Sequence, residues 1–150
     1  MPIGPTFSGD ILQLVFDGIG IANIAINATA SPSTSLWYGL HSAQPSSDAQ
    51  TGSEVAYTGY TRISAARSTA SPAFTFTAAS SAGAGAKLNP NAIVTFPICS
   101  GTSDTAAYFS IGLSSAGTGK ILWSGSMSPS ISVSNGVTPR LTTGSTITLT

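Results

Sequence analysis

The sequence predicts an all-β fold, a β-sandwich or jelly-roll-like domain with a short N-terminal helix, and three observations carry that prediction. From residue 35 onward, apolar and hydroxyl residues alternate with a period of two, which sends one set inward and the other outward. Only 7% of the 150 residues are charged, while 25 Ser and 19 Thr keep the chain polar. A soluble domain usually carries about a quarter charged residues, so hydroxyls cover this surface instead. Turn chemistry separates the alternating stretches at Ser100-Gly101, Ala116-Gly117-Thr118-Gly119 and Asn135-Gly136. The length suits a single domain over 1–150, with an N-terminal arm and helix over 1–26 and the sandwich over 35–150.

The helix is expected at residues 8–18. Phe7, Ile11, Val15 and Ile19 recur every four positions beside Leu12 and Phe16, an amphipathic stripe. Ser8 suits the N-cap, Asp10 the positive first turn, and Gly18 and Gly20 the end. Ile21 to Ile26 fit either a continued helix or a strand. Met1-Pro2-Ile3-Gly4-Pro5 holds two prolines that keep the arm extended. An arm and a helix rich in large aliphatics, on a sandwich whose strands already cover one another, are expected to reach a neighbouring subunit.

About eight strands fit the remainder. Leu36, Tyr38 and Leu40 alternate with Trp37, Gly39 and His41; Phe74 and Phe76 with Thr75 and Thr77. Val94, Phe96 and Ile98 share a face, as do Phe109, Ile111 and Leu113. Ile131 and Val133 sit among serines, and Ile147 and Leu149 among threonines. Asn135-Gly136 is the strongest hairpin signal. Two long loops stand out: 42–54, with almost nothing apolar, and the low-complexity 78–86. Long loops in compact domains are functional or disordered.

The ionisable residues are too few and too dispersed for chemistry. Five acids and five bases cancel, and scattered Arg62, Arg67, Lys87, Lys120 and Arg140 argue against nucleic acid as a partner. One His, one Cys and dispersed acids offer no metal cluster, and no motif calls for a cofactor. Cys99 reads as a small buried hydrophobe. Gly117-Thr118-Gly119-Lys120 mimics a phosphate loop, but Ser114 stands where its first Gly belongs and Ile121 where a Ser or Thr belongs. His41 reads as an end-of-strand histidine with one loop hydrogen bond, since no Ser lies in Gly-x-Ser-x-Gly. Asp10 and Asp17, about 10 Å apart along a helix, read as a solvated face. No catalytic residue is expected, and the protein is read as a non-enzyme.

The residues offered for contact with a partner are Phe7, Ile11, Val15, Trp37, His41, Tyr57, Tyr60, Arg62 and Trp123. Aromatics give large contact area at low entropic cost. Glu54 and Arg62 bracket the Tyr57 to Tyr60 segment and form a candidate loop-fixing pair; otherwise they are an ordinary surface ion pair. The start of the chain lacks the basic residue of a secretory signal, and the apolar runs fall short of the ~20 residues of a membrane helix. No membrane partner is expected, and synthesis in a cytoplasm is.

Blocks of the sequence resemble a family of small tailed-phage virion proteins. They run from Leu36-Trp37-Tyr38-Gly39-Leu40-His41-Ser42-Ala43-Gln44-Pro45 through Glu54 and Gly59-Tyr60-Thr61-Arg62 to Thr95-Phe96-Pro97. They continue with Phe109-Ser110-Ile111-Gly112, Ile121-Leu122-Trp123-Ser124-Gly125 and Val133-Ser134-Asn135-Gly136-Val137-Thr138-Pro139. The chain departs at Gln44-Pro45-Ser46, where that family more often reads Asp-Pro-Gly. Its members carry tail-fibre or head-decoration labels. The resemblance implies a bacteriophage virion structural protein made in the host cytoplasm. The leading expectation is a capsid decoration (cement) protein on the capsid exterior that binds the major capsid protein and itself, as a homo-dimer or homo-trimer. The alternative is a tail-fibre or adhesin module that binds a host surface glycan.

Overall fold

A computed structural model describes residues 4–16, 20–21, 24, 33–45, 48–66, 74–77, 86–145 and 147–149. Among the described residues one helix, α1 (Pro5–Phe16), precedes nine strands: β1 (Ser35–His41), β2 (Ile63–Ala66), β3 (Phe74–Thr77), β4 (Ala86–Pro90), β5 (Val94–Thr95), β6 (Asp104–Gly112), β7 (Ile121–Val133), β8 (Arg140–Leu141) and β9 (Ile147–Leu149). All described pairings are antiparallel, in sheets ordered β2-β1-β6-β7, β3-β4-β9 and β5-β8. The chain is therefore all-β with one short helix. That helix is neither long nor apolar enough to cross a membrane.

The helix starts three residues before the expected position, for a reason the sequence contains. Pro5 takes the first helical position, where its missing N–H costs nothing. The Gly4 carbonyl accepts the first helical bond from Ser8 N at 2.9 Å, so Ser8 lies inside the helix and is not its cap. The Thr6 amide, one of the orphan donors of a helix start, reaches Asp48 Oδ2 at 3.0 Å. The capping carboxylate thus comes from a distant loop. Asp10 lies beyond the first turn and pairs with Lys120 Nζ at 2.6 Å, so it is not a purely solvated residue. Asp17, Gly18 and Ile19 lie outside the described residues, as does the side chain of Val15. Gly20, Ile21 and Ile24 are in neither helix nor strand.

Packing corrects the expectation that α1 is dispensable to the core. Phe7 is 4% exposed and meets the Trp123 ring edge-on, centroids 5.0 Å apart at 80°. Ile21 is buried with it, and the Gly4 amide donates to Leu122 O at 3.2 Å along β7. The helix thus docks on the four-stranded sheet of its own chain.

Both faces of that sheet are covered. Register puts Leu36, Tyr38 and Leu40 on one face with Ala65, Phe109 and Ile111, and all six are buried in the core. The opposite face carries Trp37, Gly39 and His41 with Gly112, Ser110 and Tyr108. Alternation assigned Trp37, Gly39 and His41 to the outside; instead Gly39 and His41 are buried and Trp37 is half-buried. The cause is the 48–54 loop, which folds across this face through Gln50 N→Gly119 O (2.8 Å), Ile121 N→Asp48 O (2.6 Å) and Ser42 N→Ser53 O (2.8 Å).

Gln50 keys that loop into place. It is fully buried, accepts from Ser114 N at 3.0 Å and donates to Trp37 O at 3.4 Å. A Cβ at Gly112 or Gly119 would collide with its amide. Gly112→Ala is therefore expected to cost about 1–3 kcal/mol by overpacking, read as a lower urea midpoint, while Gly144→Ala on an exposed turn stays near wild type.

Two further readings change. Asn135-Gly136 makes its turn, with Gly136 at φ +86° and Val137 N→Ser134 O at 2.9 Å. It does not close a hairpin, because the chain beyond it pairs with residues 94–99, through Phe96 N→Pro139 O and Cys99 N→Val137 O. Ile98 does not share the buried face of Val94 and Phe96. It is 54% exposed, and Cys99 is buried in its stead, because β5 ends at Thr95 and the alternation stops there. Residues 78–85 lie outside the described residues; Ala86 begins β4.

Candidate functional site

The densest polar chemistry lies beneath the 48–54 loop. His41, fully buried at the end of β1, has Nδ1 2.8 Å from Gly52 O and Nε2 2.7 Å from Ser110 Oγ. A carbonyl has no proton to give, so Nδ1 carries the hydrogen and Nε2 accepts from the Ser110 hydroxyl. This makes two bonds, where one was expected. Gly39 makes the approach possible, since a Cβ there would lie 3.0 Å from Ser110 Oγ and 3.3 Å from Nε2.

A serine donating to an imidazole held by an acceptor behind it is the geometry of a nucleophile–base pair. Here both partners have zero exposure, so no substrate reaches the hydroxyl in this arrangement. Burial pushes the His41 pKa below its usual value, against the opposing pull of the Gly52 carbonyl and Glu54. The imidazole is thus held neutral, and the pair works as a pin between β1, β6 and the loop.

Acid should withdraw that pin. With the folded-state pKa depressed, the unfolded chain binds the His41 proton first as pH falls below about 6.5. Stability contributed by the neutral ring is then full at pH 7 and drops as pH falls toward the lowered folded value. Urea midpoints at pH 7 and pH 5 should differ more for wild type than for His41→Gln, which has no proton to gain. Equal pH dependence in the two proteins would refute the pin.

A second knot adjoins the first. Arg62 Nε and Nη2 reach Glu54 Oε1 and Oε2 at 2.6 and 2.7 Å, a bidentate pair. Its remaining donors bond Ser114 O at 3.0 Å and Gly117 O at 2.9 Å. Tyr60 OH donates to Glu54 Oε1 at 2.9 Å and accepts from Leu40 N at 3.0 Å. The Arg62 side chain is 2% exposed and that of Glu54 17%. This is not an ordinary surface ion pair: one guanidinium ties the 48–54 loop to the β6–β7 turn that mimicked a phosphate loop. That turn is a hairpin connection between strands, closed by Leu113 N→Lys120 O at 3.1 Å.

Aromatic residues frame the knot. Tyr57 and Tyr60 meet edge-on at 5.4 Å, and Tyr60 stacks on Phe96 at 6.3 Å. Tyr57 donates to Pro97 O at 3.0 Å, and burial pushes its pKa up to about 12. Burial raises that of Tyr60 further still. Of the residues offered for partner contact, Phe7, His41, Tyr57 and Arg62 are buried in their own chain, where packing and hydrogen bonds have already used them. Ile11, Tyr60 and Trp123 are part-buried against the core, and Trp37 is half-buried. Among the described residues, the large apolar side chains that face solvent are Ile93, at 55%, and Ile98. Composition gave no signal for these two, because Ile93 precedes β5 and Ile98 lies past its end. Gln50 and Ser110 also escaped sequence reasoning, since a buried Gln or Ser looks like any other until its partners are known. Among the described residues no group of three His, Cys, Asp or Glu could hold a metal ion.

Residues 20–149 match the family model described as podophage GP4 fiber I protein gp80. No curated protein matches the chain. The match spans all but the first nineteen residues and the last, so the chain belongs to this family of fibre-related phage virion proteins.

Proposed function

We propose that this member of the podophage fibre I protein family is a non-catalytic structural module of the virion fibre that assembles with copies of itself. The observation that carries the reading is where its chemistry is spent. The hydroxyl, imidazole and guanidinium that could serve a reaction are buried and bonded to backbone or to one another. Exposed Ile93 and Ile98, on a chain with little charge to repel its neighbours, favour self-association. Antibody labelling of intact particles tests the location: label on the tail fibres supports the module, and label spread over the head shell overturns it.

The second reading is a head-decoration protein bound to the major capsid protein. It is favoured by the resemblance of residues 35–140 to virion proteins with either label, and by a helix that docks on the sheet of its own chain. Under that reading, shells carrying the protein melt at a higher temperature than bare shells. Equal melting at saturating occupancy excludes it.

A further inference from the structure

We propose that the cavity between the β7 bulge and the segment after β8 is a binding site for an acidic saccharide, selected through Arg140. The site is built by a break in strand pairing. Ala106 pairs with Ile131 and Tyr108 with Ser126, so Met127, Ser128, Pro129 and Ser130 stand opposite the single residue Ala107. Bulges of this kind re-aim side chains and recur beside functional sites. The bulge forms one wall of a cavity of about 500 Å³, and residues 140–145 form the other. That volume lies within the range of about 300–1,000 Å³ typical of small-molecule sites.

The lining names the ligand's chemistry. Met127, Pro129 and Ile131, over a floor of buried Phe109 and Leu141, supply an apolar surface suited to the C–H face of a sugar ring. Ser126, Ser128 and Ser145 supply hydroxyls that an apolar ligand would leave unpaired. Arg140 supplies the selectivity. Among the described side chains, Arg62 is spent on Glu54 and Lys120 on Asp10, whereas the Arg140 guanidinium has neither a carboxylate nor another side-chain partner. The described carboxylates are all engaged elsewhere: Asp48 with Thr6 N, Asp104 with Ala56 N and Thr105 N. A free planar fork beside hydroxyls fits one carboxylate, bidentately. A single cation is a poor match for a polyphosphate. The proposal rests on the fibre reading for where such a saccharide would be met, on a cell surface, and not for its chemistry.

The matched probes are methyl β-D-glucuronide and methyl β-D-glucoside, which differ only at C6, a carboxylate in the first and a hydroxymethyl in the second. Titrated into isotope-labelled protein, the glucuronide should shift amide resonances of residues 126–131 and 140–145 with a millimolar dissociation constant. The glucoside should bind the same residues about tenfold more weakly, the worth of one charge-assisted pair. Arg140→Gln should bring the two sugars to equal affinity; Arg140→Lys, which keeps the charge without the fork, should fall between and serves if the Gln variant does not fold. No shifts at about 50 mM, shifts elsewhere, or equal affinities in the wild type would each overturn the site. Fibre labelling with an inert cavity removes the site alone, whereas head labelling with glucuronide binding removes the fibre reading and leaves the site standing.

Discussion

Glu54→Ala is expected to lower folding stability by about 3–5 kcal/mol, the loss measured when one partner of a buried ion pair is removed. The size follows from what is left behind. Arg62 would remain 2% exposed, with two carbonyls for company and no counter-charge. Tyr60 OH would lose its acceptor while still receiving the Leu40 amide. Against a total stability of about 5–15 kcal/mol for a domain of this kind, that loss brings the chain near unfolding at ambient temperature. Arg62→Met with Glu54→Leu removes both charges together and should recover much of the deficit, because no orphan charge remains. Urea denaturation of wild type, single and double variants measures the cycle. A single variant within about 1 kcal/mol of wild type would mean that the pair is energetically a surface bridge.

How legible this knot was in the sequence can be stated by residue. Glu54 and Arg62 were visible as a candidate pair, because opposite charges are rare here and these two flank one segment. What could not be read was their burial, which depends on the 48–54 loop folding back over β1 and β6. That loop is held by backbone bonds and by Gln50, whose slot exists only because Gly112 and Gly119 have no side chain. Contacts across 64 positions, such as Gln50 with Ser114, leave no local pattern. The all-β class was legible because alternation and turn residues are local. The faces of the central strands were not, since a strand covered on both sides loses its alternation, as β1 does at Gly39, Leu40 and His41. The helix was legible through its apolar spacing, but its start was misplaced. Ser8 is the better cap by residue type, yet Pro5 and the distant Asp48 carboxylate outweigh it. Arm contacts with its own sheet were likewise hidden, because Phe7 and Trp123 lie 116 positions apart.

That contact sets the second large effect: Phe7→Ala should cost about 3–5 kcal/mol, the range for truncating a buried phenylalanine. The cavity left would lie against Trp123, whose ring Phe7 meets edge-on. The Lys120–Asp10 pair is partly exposed, at 31% and 23%, and such pairs contribute about 0–1 kcal/mol. Further ties among the described residues are Ile11, packed against the core, the Thr6 amide to Asp48 and the Gly4 amide to Leu122, the two hydrogen bonds each worth about 0.5–3 kcal/mol. The substitution strengthens none of these ties, so the lost burial is not made up and α1 should detach before the sheet unfolds. Trp123 reports the detachment, because its ring loses its edge-on neighbour to water and its fluorescence should shift to the red at low denaturant. Trp37, on the opposite face of β1, should not move in that first step, and Trp37→Phe isolates the Trp123 signal. A Phe7→Ala protein with wild-type midpoint and unshifted emission would return α1 to the role its composition suggested, an arm free to seek a neighbouring subunit. A cooperative loss of both signals would instead make α1 and the four-stranded sheet one folding unit, although the family match begins only at residue 20.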